Sequence, residues 1–393
     1  MKTHSVLVAL FLALMMQSRA ATLQDFGYEH ITVNGEVAKG HRPLLVILAN
    51  FAGARAFAHD ANFYDNFVFN FFAQPGLNNY FMEVSDGRFF WSRGGTVTAS
   101  LPSLMLFSNF TASLPQGTPL DQLYASNIIH QTMLQSSFNF AGYDDNNYGT
   151  ISQHELQIVI ISNDGDYSGA NRWAGCIRPG GSTRTVCAGS VALLNHQTDF
   201  ATFCHEFSHS LGTKDLYGVW AQECLSEKVT LMSCTIAGPE VPDIYHLDPW
   251  HKLQLGWVEP RIFSITAGGY ATVPAAQVID TLTPLLLHDP AEGPGEFFML
   301  EYRARNRSAG ALNDSHTSGD GLAIWRVKQE PNHEPSLVLR QDAGNLPAQT
   351  GWRWCPKCRG LHHIGNPAAP TYRPCPPGAA FIPKPTAGDT RRC

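Results

Sequence analysis

The chain has 393 residues, with 27 Lys plus Arg set against 33 Asp plus Glu and a formal net charge of −6. Charged residues make up 15% of it, against about 25% in an ordinary soluble domain, which argues against a polyanion-binding surface and against nucleic acid as a partner. The length is enough for one large domain or two ordinary ones with cores of their own, so size does not force folding to rely on disulfides or metals.

Lys2, the apolar run 6–16 and Ser18-Arg19-Ala20 have the pattern of a cleaved secretory signal over residues 1–20. The run is well short of the roughly 20 apolar residues that cross a bilayer. A secreted, extracellular protein that leaves the membrane after signal cleavage is expected. Export would put the nine cysteines in an oxidising compartment. Cys176 with Cys187, and Cys224 with Cys234, are candidate pairs, and the odd total leaves at least one thiol over, assigned to Cys204 on the apolar face of a helix. Asn109, Asn306 and Asn313 begin glycosylation sequons.

Residues 44–48, Leu-Leu-Val-Ile-Leu, read as a buried strand. The aromatic-rich stretch 64–72 suits a helix, and residues 79–91 run through a Ser-Asp-Gly-Arg turn into a strand at Phe89-Phe90-Trp91. Residues 156–162 read as a central strand that stops at the loop chemistry of Asn163-Asp164-Gly165-Asp166. The period then changes. Phe200, Phe203, Cys204, Phe207 and Leu211 recur at three- and four-residue steps, one face of a helix over 198–211, with Asp199 at its positive end and Gly212 beyond its last periodic residue. Short β-like runs follow at 270–273, 297–302 and 322–327. The expected division is a signal (1–20), a catalytic region (21–260), a β-rich subdomain (261–345) and a Cys- and Trp-rich tail (346–393).

The chemistry concentrates at residues 205–215, HEFSHSLGTKD. Two His four apart on a helix lie one turn apart on one face, so both imidazoles can reach one cation. Glu206 projects about 100° round the helix from His205, beside such a metal rather than on it, and is the candidate general base. Gly212 lets the chain leave the helix sharply, and Asp215 can return a carboxylate as third ligand. Three protein ligands with an open fourth position are the pattern of a catalytic zinc.

This segment resembles the zinc motif of the immune inhibitor A family of metallopeptidases, metzincin-like enzymes with Asp where most metzincins have a third His. Residues 230–233, Thr-Leu-Met-Ser, look like the family's methionine turn, with Met232 as an apolar floor under the metal. YHLDPWHKLQLGW at 245–257, the stretches 79–90 and 44–50, and residues 297–327 with LEYR and GLAIWRV are similar to further family segments. The resemblance covers roughly residues 40–330. It implies an α+β fold with a twisted sheet, an active-site helix beneath it and a lower subdomain ending near Trp257. It also implies a zinc endopeptidase acting on protein or peptide substrates. Tyr217 and Tyr245 are candidates for the acid that assists the transition state. A second reading, from another class, is a non-catalytic secreted binding protein that retains the fold.

Two further sites are suggested. Residues 144–155, DDNNYGTISQHE, have calcium-loop spacing, with Asp144, Asn146 and Glu155 as candidate ligands for Ca2+ and Tyr148 breaking the pattern at the fifth position. A polar turn leading into the next strand is the competing reading. In the tail, Cys355, Cys358, Cys375 and Cys393 suit either a structural zinc ribbon or two disulfides. The tail resembles a small Cys- and Trp-containing module appended to secreted microbial proteins, with Phe381 where that pattern has His.

Overall fold

The structure, a computed structural model, describes residues 37–73, 75–112, 120–147, 150–164, 170–172, 175–177, 185–188, 191–216, 230–233, 244–264, 283–291, 295–303, 321–329, 335–340, 352–355 and 360–363. The signal segment, Cys224, Cys234, Asn306, Asn313, the strand expected at 270–273, and Cys358, Cys375 and Cys393 lie outside them.

The protein is mixed α/β. Its first sheet is built on β1 (Gly40–Phe51), flanked by β2 (Phe89–Leu101) on one side and β4 (Gln157–Ser162) on the other; β8 (Val191–Asn195) pairs with β4, and all four run parallel. A fifth strand, β5 (Ala170–Arg172), joins β8 antiparallel at the edge. A short strand β3 (Thr150–Ile151) lies apart, in a small sheet with β6 (Gly175–Ile177) and β7 (Thr185–Ala188). Antiparallel pairing of β6 with β7 sets Cys176 opposite Cys187 in the backbone register.

Continuous apolar sequence in β1, β4 and β8 follows from burial of both sheet faces. Along β1, Leu44, Val46 and Leu48 point to one face, while Leu45, Ile47 and Ala49 point to the other. On the first face pack helices α1 (Ala61–Phe69), α2 (Leu77–Val84) and α5 (Phe200–His209). On the second lies α4 (Leu120–Gln135), through Tyr124, Ala125, Ile128 and Ile129. Another short helix, α3 (Phe107–Ala112), precedes α4. The turn between α2 and β2 needs two left-handed residues in succession, Asp86 (φ 57°) and Gly87 (φ 71°), and the Asp-Gly sequence supplies them.

After α6 (Pro249–Gln254) a second five-stranded sheet forms in the order β13-β12-β11-β10-β9, from β9 (Arg261–Ser264), β10 (Leu285–His288), β11 (Glu296–Arg303), β12 (Gly321–Gln329) and β13 (Pro335–Arg340). One face, with Leu286, Phe297, Met299, Trp325 and Val327, belongs to the same core as Phe207, Leu247 and Trp257. The opposite face gathers Leu285, Phe298, Leu300 and Ile324. The texture change near residue 260 is therefore a change of secondary structure, with the core running through it. In the tail, β14 (Trp352–Cys355) and β15 (Gly360–His363) form an antiparallel pair. Among the described residues no helix is long and apolar enough to cross a membrane.

Candidate metal centre

Helix α5 starts where Asp199, in extended conformation, accepts a hydrogen bond from Thr202 N at 2.9 Å, a side-chain cap for amides the helix itself leaves unpaired. Its apolar stripe, Phe200, Phe203, Cys204 and Phe207, enters the core and fixes how the helix is rotated about its axis. Cys204 is a free, buried cysteine, as the sequence suggested. At the other end the Ser210 carbonyl accepts from Gln153 Nε2 at 2.8 Å and from Arg42 Nη1 at 3.4 Å, so a buried cation stands at the negative end of the helix dipole. Gly212 follows at φ 97°, a left-handed conformation that turns the chain back toward the helix.

The turn brings Asp215 to the two histidines. Its Oδ1 lies 3.1 Å from His205 Nε2 and 3.3 Å from His209 Nε2, and the two Nε2 atoms are 3.1 Å apart. The remaining ring nitrogens are committed elsewhere. His205 Nδ1–H donates to the Leu231 carbonyl at 2.9 Å, and His209 Nδ1–H to the Thr213 carbonyl at 2.8 Å. Carbonyls can only accept, so in the neutral rings both Nε2 atoms present lone pairs, aimed at each other and at a carboxylate oxygen. Three lone-pair donors repel unless a cation sits among them. Ligands about 2.0–2.1 Å from a tetrahedral zinc stand about 3.3 Å apart, which is the spacing observed. The donor set, the spacing and the outer carbonyls that orient each imidazole all fit a zinc ion. Among the described residues this is the one group of three or more His, Cys, Asp and Glu whose ligand atoms converge.

The electrostatics agree. Burial works against a protonated His209, but the Asp215 carboxylate, the Thr213 carbonyl and Glu206 outweigh it and hold its pKa above the usual 6.5. Burial likewise works against a charged Asp215, yet hydrogen bonds from His205 and His209 and their charge bring its carboxyl well below the ordinary carboxylate range. The point of convergence favours positive charge. Glu206 is buried on α5 and close enough for its charge to act on His209.

Residues 230–233 form a turn against the two-histidine helix and its following loop. Ser233 N donates to the Thr230 carbonyl at 3.1 Å, closing a turn, and Met232 is fully buried with its Sδ accepting from Thr213 Oγ1 at 3.6 Å. The same turn supplies the Leu231 carbonyl to His205. Sequence reading missed what lies beneath. Asp248 caps α6 by accepting from His251 N at 2.9 Å, and its other oxygen accepts from His251 Nδ1 at 2.7 Å and from Thr230 Oγ1 at 2.9 Å. The Asp-Pro start of α6 is a legible helix signal; the contact of this pair with the metal loop is not.

No protein-family model matches the sequence, and no curated protein matches it.

The other candidates are placed as follows. In the loop 144–155 Asp144 is buried, and Asn147 takes a left-handed conformation (φ 57°). Glu155 accepts from Asn146 N at 3.3 Å and Ser152 N at 2.7 Å, so both its oxygens serve the backbone of the loop. Cys355 ends β14; the other three tail cysteines lie outside the described residues. Tyr217 also lies outside them, and Tyr245 is buried, with its carbonyl taking the Tyr80 hydroxyl at 3.0 Å. Asn109 is exposed.

Proposed function

We propose that the protein is a secreted zinc-dependent endopeptidase of metzincin-like fold, similar to the immune inhibitor A family, that hydrolyses internal peptide bonds of proteins or peptides. The observation that carries this reading is the convergence of His205 Nε2, His209 Nε2 and Asp215 Oδ1 within 3.1–3.3 Å, next to a buried glutamate one residue from the first ligand.

His205, His209 and Asp215 would hold the metal, their rings oriented by the Leu231 and Thr213 carbonyls. Zinc in such a site acts as a Lewis acid, lowering the pKa of water and polarising a carbonyl. Glu206 takes the proton of the attacking water on its carboxylate and delivers it to the departing amine, the exchange expected of a positioned general base. A buried carboxylate next to the first metal ligand is suited to that exchange; a protein that only binds a partner has no use for it. This favours the protease over the non-catalytic binding protein.

The test is hydrolysis of an unfolded protein such as casein by the secreted chain, with and without a zinc chelator, beside Glu206→Gln. Wild-type cleavage should vanish with chelator. Glu206→Gln should bind zinc as wild type does and lose at least a hundredfold in kcat, the general scale of acid–base catalysis being about 10²–10⁴. Zinc binding with no cleavage by the wild type would favour the binding-protein reading, and activity on a glycan or ester alone would point to another hydrolase.

A further inference from the structure

Of the three converging residues, Asp215 has the least side-chain support. Its carboxylate is 37% exposed, and among the described residues its hydrogen-bonding partners are the two imidazoles themselves. Its position is therefore set by the backbone on either side. The Leu216 amide donates to the Met232 carbonyl at 2.9 Å, and the Lys214 amide donates to His251 Nε2 at 3.4 Å. Both anchors lead to one buried carboxylate. Asp248 Oδ2 accepts from His251 Nδ1 at 2.7 Å and from Thr230 Oγ1 at 2.9 Å, and Thr230 Oγ1 in turn accepts from Met232 N at 3.4 Å. Asp248, His251 and Thr230 are all fully buried.

We infer that Asp248 and His251 form a positioning dyad for the third metal ligand: Asp248 holds the His251 ring with its proton on Nδ1, leaving Nε2 as the acceptor that fixes the Thr213–Lys214 peptide, one residue before Asp215. This rests on the zinc reading given above. A helix cap alone would not require the arrangement, because Asp248 Oδ1 already caps α6 through His251 N. The second oxygen and the imidazole are additional, and they point to the metal loop. The logic is that of a buried carboxylate selecting a histidine tautomer. With Asn at position 248 the side-chain amide donates to His251 Nδ1, the ring proton moves to Nε2, and two N–H groups then face each other across the Lys214 contact. His251→Asn keeps a donor toward Asp248 but does not reach Lys214, whereas His251→Gln keeps an acceptor at the Nε2 position.

The experiment measures zinc affinity by competition with a chromophoric chelator on the full-length secreted protein, together with the melting temperature of each zinc-free variant. Outer partners of metal ligands typically set 10–100-fold in affinity. Asp248→Asn and His251→Asn should therefore lose at least tenfold, and His251→Gln should stay within about threefold of wild type. Equal zinc affinity in all the folded variants, with only the melting temperature lowered, would make the pair merely structural and overturn the proposal. Nitrogen-15 NMR of His251 in the wild type decides the point even if the variants do not fold: a protonated Nδ1 with bare Nε2 is expected, and the opposite tautomer overturns it. A wild type that binds zinc no better than His205→Ala would instead remove the zinc reading itself.

Discussion

His209 is pulled two ways, and the balance has a measurable consequence. Burial opposes its charge, but Asp215, the Thr213 carbonyl and Glu206 prevail and raise its pKa above 6.5, while the imidazoles depress that of Asp215 below 3.8. Working through the signs, the His209 contribution to the metal-free fold is complete below pH 6.5 and fades as pH rises through the raised value. The Asp215 contribution is present above pH 3.8 and fades as pH falls toward its depressed value. Metal ligation needs a neutral imidazole, so zinc competes with the His209 proton. Calorimetric titration of zinc into the metal-free protein at pH 7, in buffers of different ionisation enthalpy, should show net proton release, larger at pH 6.5 than at pH 8. Release independent of pH over that range would mean His209 does not carry the proton. Cys204 behaves oppositely as a neighbour. Burial, reinforced by Asp199, pushes its thiol well up, so it is inert packing. Much of this centre was legible because its candidate ligands fall within one short segment, 205–215, and the two histidines stand at a helical period. Asp248, His251 and Thr230 were not, because their contacts with the loop depend on a chain reversal that spacing does not reveal.

At the level of elements, the site is a helix end followed by a left-handed glycine and a loop. Gly212 at φ 97° is the residue on which the reversal turns, and an L side chain there costs about 1–2 kcal/mol. Gly212→Ala should lower stability by about that much in a urea melt. It should also weaken zinc binding, because the strain falls three residues from Asp215 and relaxing it moves the loop. A variant with unchanged zinc affinity would show that the turn is held by its anchors alone. Three strands of the first sheet, β1, β2 and β4, were readable from their apolar runs, whereas β8 and β5 were not read; β1 begins four residues earlier than its run of five, at Gly40, because pairing with β2 extends through His41 and Arg42. Helix α4, with 16 residues, was not read. Its buried face mixes Tyr124, Ile128 and Ile129 with the small Ala125 and polar Thr132, which blurs the contrast on which periodicity depends. Thr132 can be buried because its hydroxyl donates to the Ile128 carbonyl at 2.8 Å, a local partner invisible to a hydropathy pattern.

For the whole molecule, the second sheet is expected to be a structural condition of the metal centre. Met299, Trp325 and Val327 share a core with Phe207, on the helix that carries both histidines, and with Trp257. A polar link crosses the same boundary. Arg303 donates to the Leu247 carbonyl at 3.1 Å, one residue before Asp248, while Glu301 accepts from Arg303 and from Trp325 Nε1. All three side chains are buried, so removing one partner leaves an uncompensated buried charge at a general cost of about 3–5 kcal/mol. Arg303→Met should thus lower the unfolding free energy by about that amount. It should also loosen zinc binding through the segment from Leu247 to His251, whereas Arg326→Met, which breaks the less buried pair with Glu296, should cost about 1 kcal/mol or less and leave zinc affinity unchanged. Urea unfolding of the zinc-free proteins and competitive zinc titration measure the two effects separately. If the zinc-loaded Arg303→Met protein unfolds in two steps, with zinc retained through the first, the sheet and the metal centre are independent units and the shared core does not couple them. A single transition with zinc lost in step would make the β-rich sheet part of the machinery that holds His205, His209 and Asp215 in register.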